Sequence, residues 1–170
     1  MAGNVLRQLL RGQGAHTDPV AVLADLSAEV VGLRLPQVEH TIWQQVVHMN
    51  YWMDYEIHRI HGDDPPYPGH ASESWPPDSP PSEPTWNREV ARFNTLLEEL
   101  ADLAQSDEEA LDRQVKPPSE ITDPSHPQEA VTVLDVLWQT AVHNSYHIGQ
   151  VALLRRALGI WPPQGGGDTW

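Results

Sequence analysis

Apolar residues recur at helical spacing in four stretches of this chain, separated by polar or proline-rich intervals. Around Asn4 to Arg11, Val5, Leu6, Leu9 and Leu10 gather on one side of a first helix. Asp18-Pro19 then reads as an N-cap followed by a first-turn proline, opening a further short helix through Leu23 and Leu26. The second long helix starts at Thr41, where Thr41-Ile42-Trp43-Gln44 sets a hydroxyl at the N-cap and an amide three residues on, the pattern of a capping box. Val46, Met53, Ile57 and Ile60 continue it, and Gly62 stops it. The third helix runs from about Thr85 to Gln105, with Trp86, Val90, Phe93, Leu97 and Leu100 on its apolar side. The fourth begins near Thr132, where Thr132-Val133-Leu134-Asp135 repeats the capping pattern, and ends at Gly159.

Eight of the 23 residues from 62 to 84 are proline, and no apolar periodicity survives there. This interval is a loop. At roughly 3.3 Å per extended residue it can run the length of a helix of about 30 Å, so the helices it joins can be parallel neighbours linked by a crossover. No strand ladder and no internal repeat is visible. The pattern therefore predicts an all-α fold: a four-helix bundle with a long proline-rich crossover between helices 2 and 3, forming a single domain over residues 1–170.

Composition narrows the function. The chain carries 10 Lys plus Arg against 24 Asp plus Glu, a net charge of −14. Such a surface repels phosphate backbones, and no basic stripe offsets it, so a nucleic-acid partner is not expected. Arg155 and Arg156 form the only adjacent basic pair. Cysteine is absent, which excludes disulfides, thiolate nucleophiles and cysteine-ligated metal sites. No apolar run approaches the length of a membrane span, and the N-terminal segment has no apolar signal core. The default expectation is a soluble cytoplasmic protein with no membrane partner.

The histidines carry the chemistry. His143 and His147 lie four residues apart in the fourth helix, one turn plus about 40°, so their rings leave the same face. That spacing lets two nitrogens reach one ion at about 2.0–2.1 Å. The pair belongs to a row, Val136, Thr140, His143, His147, Gln150 and Leu154, with the spacing of a bundle seam. A second row, Leu134, Leu137, Ala141, Ile148 and Ala152, is plain core. Two unpaired buried histidines would be costly, and a metal ion gives both nitrogens a partner. The spacing resembles the zinc-protease motif His-Glu-x-x-His. Asn144 stands where that motif needs its glutamate base, which argues against that enzyme class. His48, on the row Thr41, Gln45, His48, Trp52 and Tyr55 of the second helix, supplies a third ligand from a facing helix. Three protein ligands with one open position is the arrangement of a catalytic zinc site.

These residues resemble the DinB-like family of metal-binding four-helix-bundle proteins. The matching pieces are His40-Thr41-Ile42-Trp43 running into Val46-Val47-His48, and His143-Asn144-Ser145-Tyr146-His147-Ile148-Gly149-Gln150. The ending Gly159-Ile160-Trp161-Pro162-Pro163, with Gly165-Gly166 and Asp168-Thr169-Trp170, is similar to tails in part of that family. The resemblance implies that His48, His143 and His147 form a metal triad holding zinc, nickel or another divalent ion. It also implies a homodimer. Some members are S-transferases using low-molecular-weight thiols such as bacillithiol or mycothiol, and related ones are isomerases or hydrolases. The expectation is a metal-dependent transferase or hydrolase acting on a small-molecule substrate. The alternative is a non-catalytic stress protein that binds a metal or small ligand.

Around the triad, Trp52 is either bundle core or a wall of the ligand pocket. Gln150 is either a polar seam residue or a partner that hydrogen-bonds a metal-bound water or orients a ligating imidazole. Trp75 in the proline-rich loop either caps the pocket or pins the loop. Tyr146 lies about 100° from His147 on the helix and need not face the ion. Asp54 and Glu56 read as solvent-facing. His58 and His61 fit the negative end of the second helix's dipole. His40 precedes that helix as a turn residue, and His16, His70 and His126 sit in loops. Gly165–Gly167 has no following helix to make a phosphate site.

Overall fold

A computed structural model describes residues 2–77, 81–118 and 131–166. Four long helices make the bundle: α1 (Ala2–Leu10), α4 (Ile42–His61), α5 (Glu83–Leu103) and α7 (Val133–Ala157). Three shorter helices decorate it: α2 (Pro19–Leu23), α3 (Ala28–Val31) and α6 (Glu108–Asp112).

Local chemistry sets the helix ends. Thr41 and Gln44 close a reciprocal capping box at the start of α4, and Gly62 ends it at φ 95°, where only glycine is unstrained. Thr132 and Asp135 cap α7 in the same way. Helix α5 begins two residues before the sequence suggested. Ser82 caps it, and Pro84 falls in its first turn, where the missing N–H costs nothing. Proline density had assigned those residues to the loop. Helices α3 and α6 are too short to show an apolar period, and each is opened by its own side-chain cap, Ser27 and Asp107. Between α6 and α7 an antiparallel pair of two-residue strands forms, β1 (Gln114–Val115) on β2 (Val131–Thr132), a ladder too short to leave a periodic signal.

Helix directions follow from the contacts. Asn50 reaches Glu89, Asp54 pairs with Arg92, and His61 pairs with Glu99, so α4 and α5 run parallel, joined by the crossover. Gln45 meets His147 and His48 meets His143, so α7 runs antiparallel to α4. Helix α1 packs against both α5 and α7. It approaches α5 so closely that a Cβ on Gly3 would lie 1.9 Å from the Ala104 carbonyl oxygen, which explains glycine there. The core between the four helices holds Leu10, Met49, Met53, Trp86, Phe93, Leu97, Leu137 and Ile148, among others. Buried Trp86 donates its indole N–H to the Leu26 carbonyl at 2.7 Å, fixing the α2–α3 segment to α5.

Arg155, half of the adjacent basic pair, is 2 % exposed. Its guanidinium donates to the carbonyls of Val22, Ala24 and Ile160, tying α2 and the C-terminal segment to α7. Arg156 stays outside, 4.5 Å above the Trp161 ring. Among the described residues no helix is long and apolar enough to cross a membrane. His126, Gly167 and the final Asp168-Thr169-Trp170 lie outside the described residues.

Candidate metal centre

The facing rows of α4 and α7 bring three imidazoles together. His143 Nε2 lies 3.3 Å from His48 Nε2 and 3.1 Å from His147 Nε2. One nitrogen from each ring falls within 4.8 Å of the other two. An ion about 2.0–2.1 Å from each of two nitrogens at a tetrahedral angle leaves them about 3.3–3.4 Å apart. The two separations sit at or slightly below that value, so the donor set fits a first-row divalent ion with little adjustment. Among the described residues no fourth His, Asp or Glu joins the group.

The tautomers agree with this use. His147 Nδ1 lies 2.6 Å from Gln45 Oε1. An amide oxygen only accepts, so Nδ1 carries the proton and Nε2 presents a lone pair to the cluster. Gln45, itself 2 % exposed, is thus the residue that orients a triad imidazole. Orienting the imidazole, one of the roles open to Gln150, falls to Gln45, while Gln150 is half-buried and lines a cavity that also borders His147.

Burial makes the rings resist protonation. His48 is 7 % exposed and His147 5 %. Burial, then the His143 and His40 rings, push His48 down to about 4, against an opposing contribution from the Ser74 backbone. Burial, then His143, His48 and His40, take His147 down to about 3. His143 is lowered by burial, opposed by the Asn144 side chain. The Nδ1 atoms of His48 and His143 are buried without a hydrogen bond, so Ser74 and Asn144 sit beside those rings short of full hydrogen-bond geometry. Neutral imidazole is the form that ligates a metal.

The crossover reaches back over the site. Trp75 stacks on His48 with centroids 3.8 Å apart and planes 7° apart, and on His40 at 3.6 Å and 8°. It is thus held between two imidazoles, and the Gln44 amide donates to the Pro76 carbonyl to hold the adjoining loop. The two readings of Trp75 coincide: the ring that pins the loop also covers the triad. His40 is more than a turn residue, because its ring forms the outer face of that stack.

Two cavities flank the cluster. One, of about 430 Å³, reaches it at His143 and is walled by Trp52, Tyr67, Glu56, Arg59 and Thr140. The other, of about 440 Å³, reaches it at His147, with Gln45, Trp75, Tyr146 and Gln150 in its wall. Trp52 therefore lines a cavity, half-buried and edge-on to His48 with centroids 6.4 Å apart. Tyr146 is largely exposed but borders the second cavity. Glu56, expected in solvent, instead pairs with Arg59 at 2.7 Å, its side chain only 14 % exposed. Asp54 is half-buried beside Arg92. His58 and His61, at the end of α4, bind Asp63 and Glu99 on the surface and take no part. His16 joins its Nε2 to Ser145 Oγ at 2.8 Å, clamping the loop after α1 onto α7.

Sequence reasoning missed Gln45 beside the triad, and Glu56 and Arg59 in the wall of the adjoining cavity. Gln45 was visible on the His48 row, but only the fold reveals that His147 needs an acceptor there.

No curated protein and no solved structure matches the chain. The sequence profile of the DinB superfamily matches residues 14–151, a stretch that runs from the loop after α1 through α4 and into α7 beyond His147. This chain belongs to the DinB superfamily.

Proposed function

We propose that His48, His143 and His147 hold one divalent ion, zinc or nickel, and that the protein is a metal-dependent S-transferase or related hydrolase. The observation that carries this reading is the convergence of three neutral imidazole nitrogens beside a cavity, with no fourth protein ligand among the described residues. Imidazole sets suit zinc and nickel. Bound there, the ion would supply Lewis acidity, lowering the pKa of a thiol or water and so making a nucleophile at neutral pH.

The chain's own residues do the rest. Gln45 holds the His147 ring with its lone pair inward. Trp75 shields the His48 face from solvent, which strengthens electrostatic interactions at the centre. The His143-side cavity gives a small substrate its approach. The thiol would be a low-molecular-weight one, kept reduced in the cytoplasm, where we place the protein. The open side of the triad favours this over the alternative of a non-catalytic metal- or ligand-binding stress protein, because storage and structural sites close their coordination with protein ligands.

A homodimer is part of the proposal. Trp138, Val142, Tyr146 and Leu153 stand exposed along one face of α7, and Gly149 lies among them with nothing within 4 Å of a Cβ position. An apolar helix face with a glycine notch suits a second copy.

The test is purification with zinc or nickel, elemental analysis, and an assay of thiol consumption with electrophilic acceptors. About one ion per chain, lost in His143→Ala and His147→Ala together with turnover, is expected. A protein that takes up no ion defeats the metal reading. A loaded protein with no metal-dependent turnover across a broad thiol panel defeats the enzyme reading and leaves the binding role.

A further inference from the structure

The cavity at His143 contains an ion pair that the metal chemistry does not use. Arg59 is 10 % exposed by side chain, yet it forms part of the cavity wall. One guanidinium nitrogen meets Glu56 Oε2 at 2.7 Å and another donates to the Lys116 carbonyl at 3.1 Å. Its Nε is buried without any partner. That Nε is closed to solvent and so to any ligand; what the cavity of about 430 Å³ presents is a charge pair whose side chains are 10 % and 14 % exposed and lie in its wall. We propose that Glu56 and Arg59 form a subsite for the zwitterionic, amino-acid-like head of an extended ligand whose other end reaches the histidine triad. The identity of that other end as a thiol rests on the reading above; the subsite itself does not.

Charge decides the class. A simple anion would face the Glu56 carboxylate and a chain of net charge −14. A simple cation would face Arg59. A zwitterion satisfies both at once, its carboxylate on the guanidinium fork and its ammonium on Glu56. The rings of Trp52 and Tyr67 complete the wall, and aromatic faces add attraction for an ammonium group.

Length decides the size. Glu56 follows His48 by eight residues on α4, which is about 12 Å along the axis. The His48 and Glu56 side chains lean toward the helix N-terminus alike, so their functional groups stay roughly 12 Å apart along the axis. Free cysteine, with sulfur and zwitterion on adjacent carbons, cannot bridge that span. A γ-glutamyl peptide thiol can.

Isothermal titration of the zinc-loaded full-length protein tests this with four probes: glutathione, S-methylglutathione, cysteine and 2-mercaptoethanol. Glutathione is expected to bind at least about tenfold more tightly than cysteine or 2-mercaptoethanol, and S-methylglutathione to keep part of that advantage. Glu56→Gln and Arg59→Gln are each expected to weaken both glutathione ligands about tenfold or more, leaving 2-mercaptoethanol binding and zinc stoichiometry unchanged. Should Arg59→Gln fail to fold, Arg59→Lys keeps the charge, loses the fork, and carries the same expectation. Equal affinity for glutathione and 2-mercaptoethanol, or variants that leave their ratio unchanged, would overturn the subsite. If S-methylglutathione binds as tightly as glutathione and 2-mercaptoethanol does not bind, the thiol reading fails while the subsite stands.

Discussion

Acidifying the metal-free protein should cost it stability in a window set by the triad. In the unfolded chain each imidazole titrates near 6.5, whereas folding lowers His48 to about 4 and His147 to about 3. Between those values the unfolded state binds protons that the folded state refuses. Stability therefore falls as pH drops from about 6.5, and the loss is complete only below the folded values. At about pH 4.5 each ring contributes roughly 2.5 kcal/mol of destabilisation relative to neutral pH, or roughly 5 kcal/mol for the two as an upper figure. Little screening discount applies, because the rings are 7 % and 5 % exposed. For a domain of this size 1 kcal/mol moves Tm by about 2–4 °C, so a fall of roughly 10–20 °C is expected. The assay is thermal unfolding in chelator-treated buffers between about pH 7.5 and about pH 4.5. Carboxylates also protonate toward the acid end, so the decisive quantity is the difference from His147→Gln, which should lose roughly half of the dependence. Saturating zinc should protect wild type through most of the window, since ligation and protonation compete for the same lone pairs. A variant with the wild-type slope, or a flat profile in wild type, would refute the assignment of buried neutral rings at His48 and His147.

Further expectations follow from single contacts. Gln45→Leu leaves the His147 Nδ1–H buried without its acceptor, so it should cost about 1–3 kcal/mol by denaturant titration and weaken zinc about 10–100-fold by chelator competition. Arg155→Met removes charged donors from the carbonyls of Val22, Ala24 and Ile160 and should destabilise by about 3–5 kcal/mol, with exchange of the α2 amides rising first. Trp75→Phe should abolish most of any zinc-induced change in tryptophan emission, because Trp75 is the indole stacked on His48; an unchanged signal would contradict the sandwich. Gly149→Ala should raise monomer stability by about 0.5–1 kcal/mol at this open helical position, yet lower the dimer fraction in sedimentation if a second copy approaches the α7 face.

What the sequence disclosed and what it withheld divide along a physical line. Capping at Thr41 and Thr132, the stop at Gly62 and the apolar rows are local signals, and they placed α4 and α7 closely. The proline-dense crossover is long because its helices are parallel, and that length is also written locally. His143 and His147 share a turn, so one helix suffices to pair them. The remaining members of the site depend on what faces them. Gln45 becomes a partner only because α7 runs antiparallel and sets His147 opposite. Trp75 becomes a cover only because the crossover folds back onto His48. Glu56 reads from the sequence as solvent-facing, and nothing local distinguishes Arg59, three residues on, from an ordinary exposed partner. Their meaning comes from depth: the same two side chains at about a tenth exposed, in the wall of a cavity that ends at His143, are no longer a solvated pair. A charge pair held out of water gains little for stability over apolar packing of equal volume. The place of this pair in the cavity wall beside the triad is therefore the reason to look for its role in what the cavity receives.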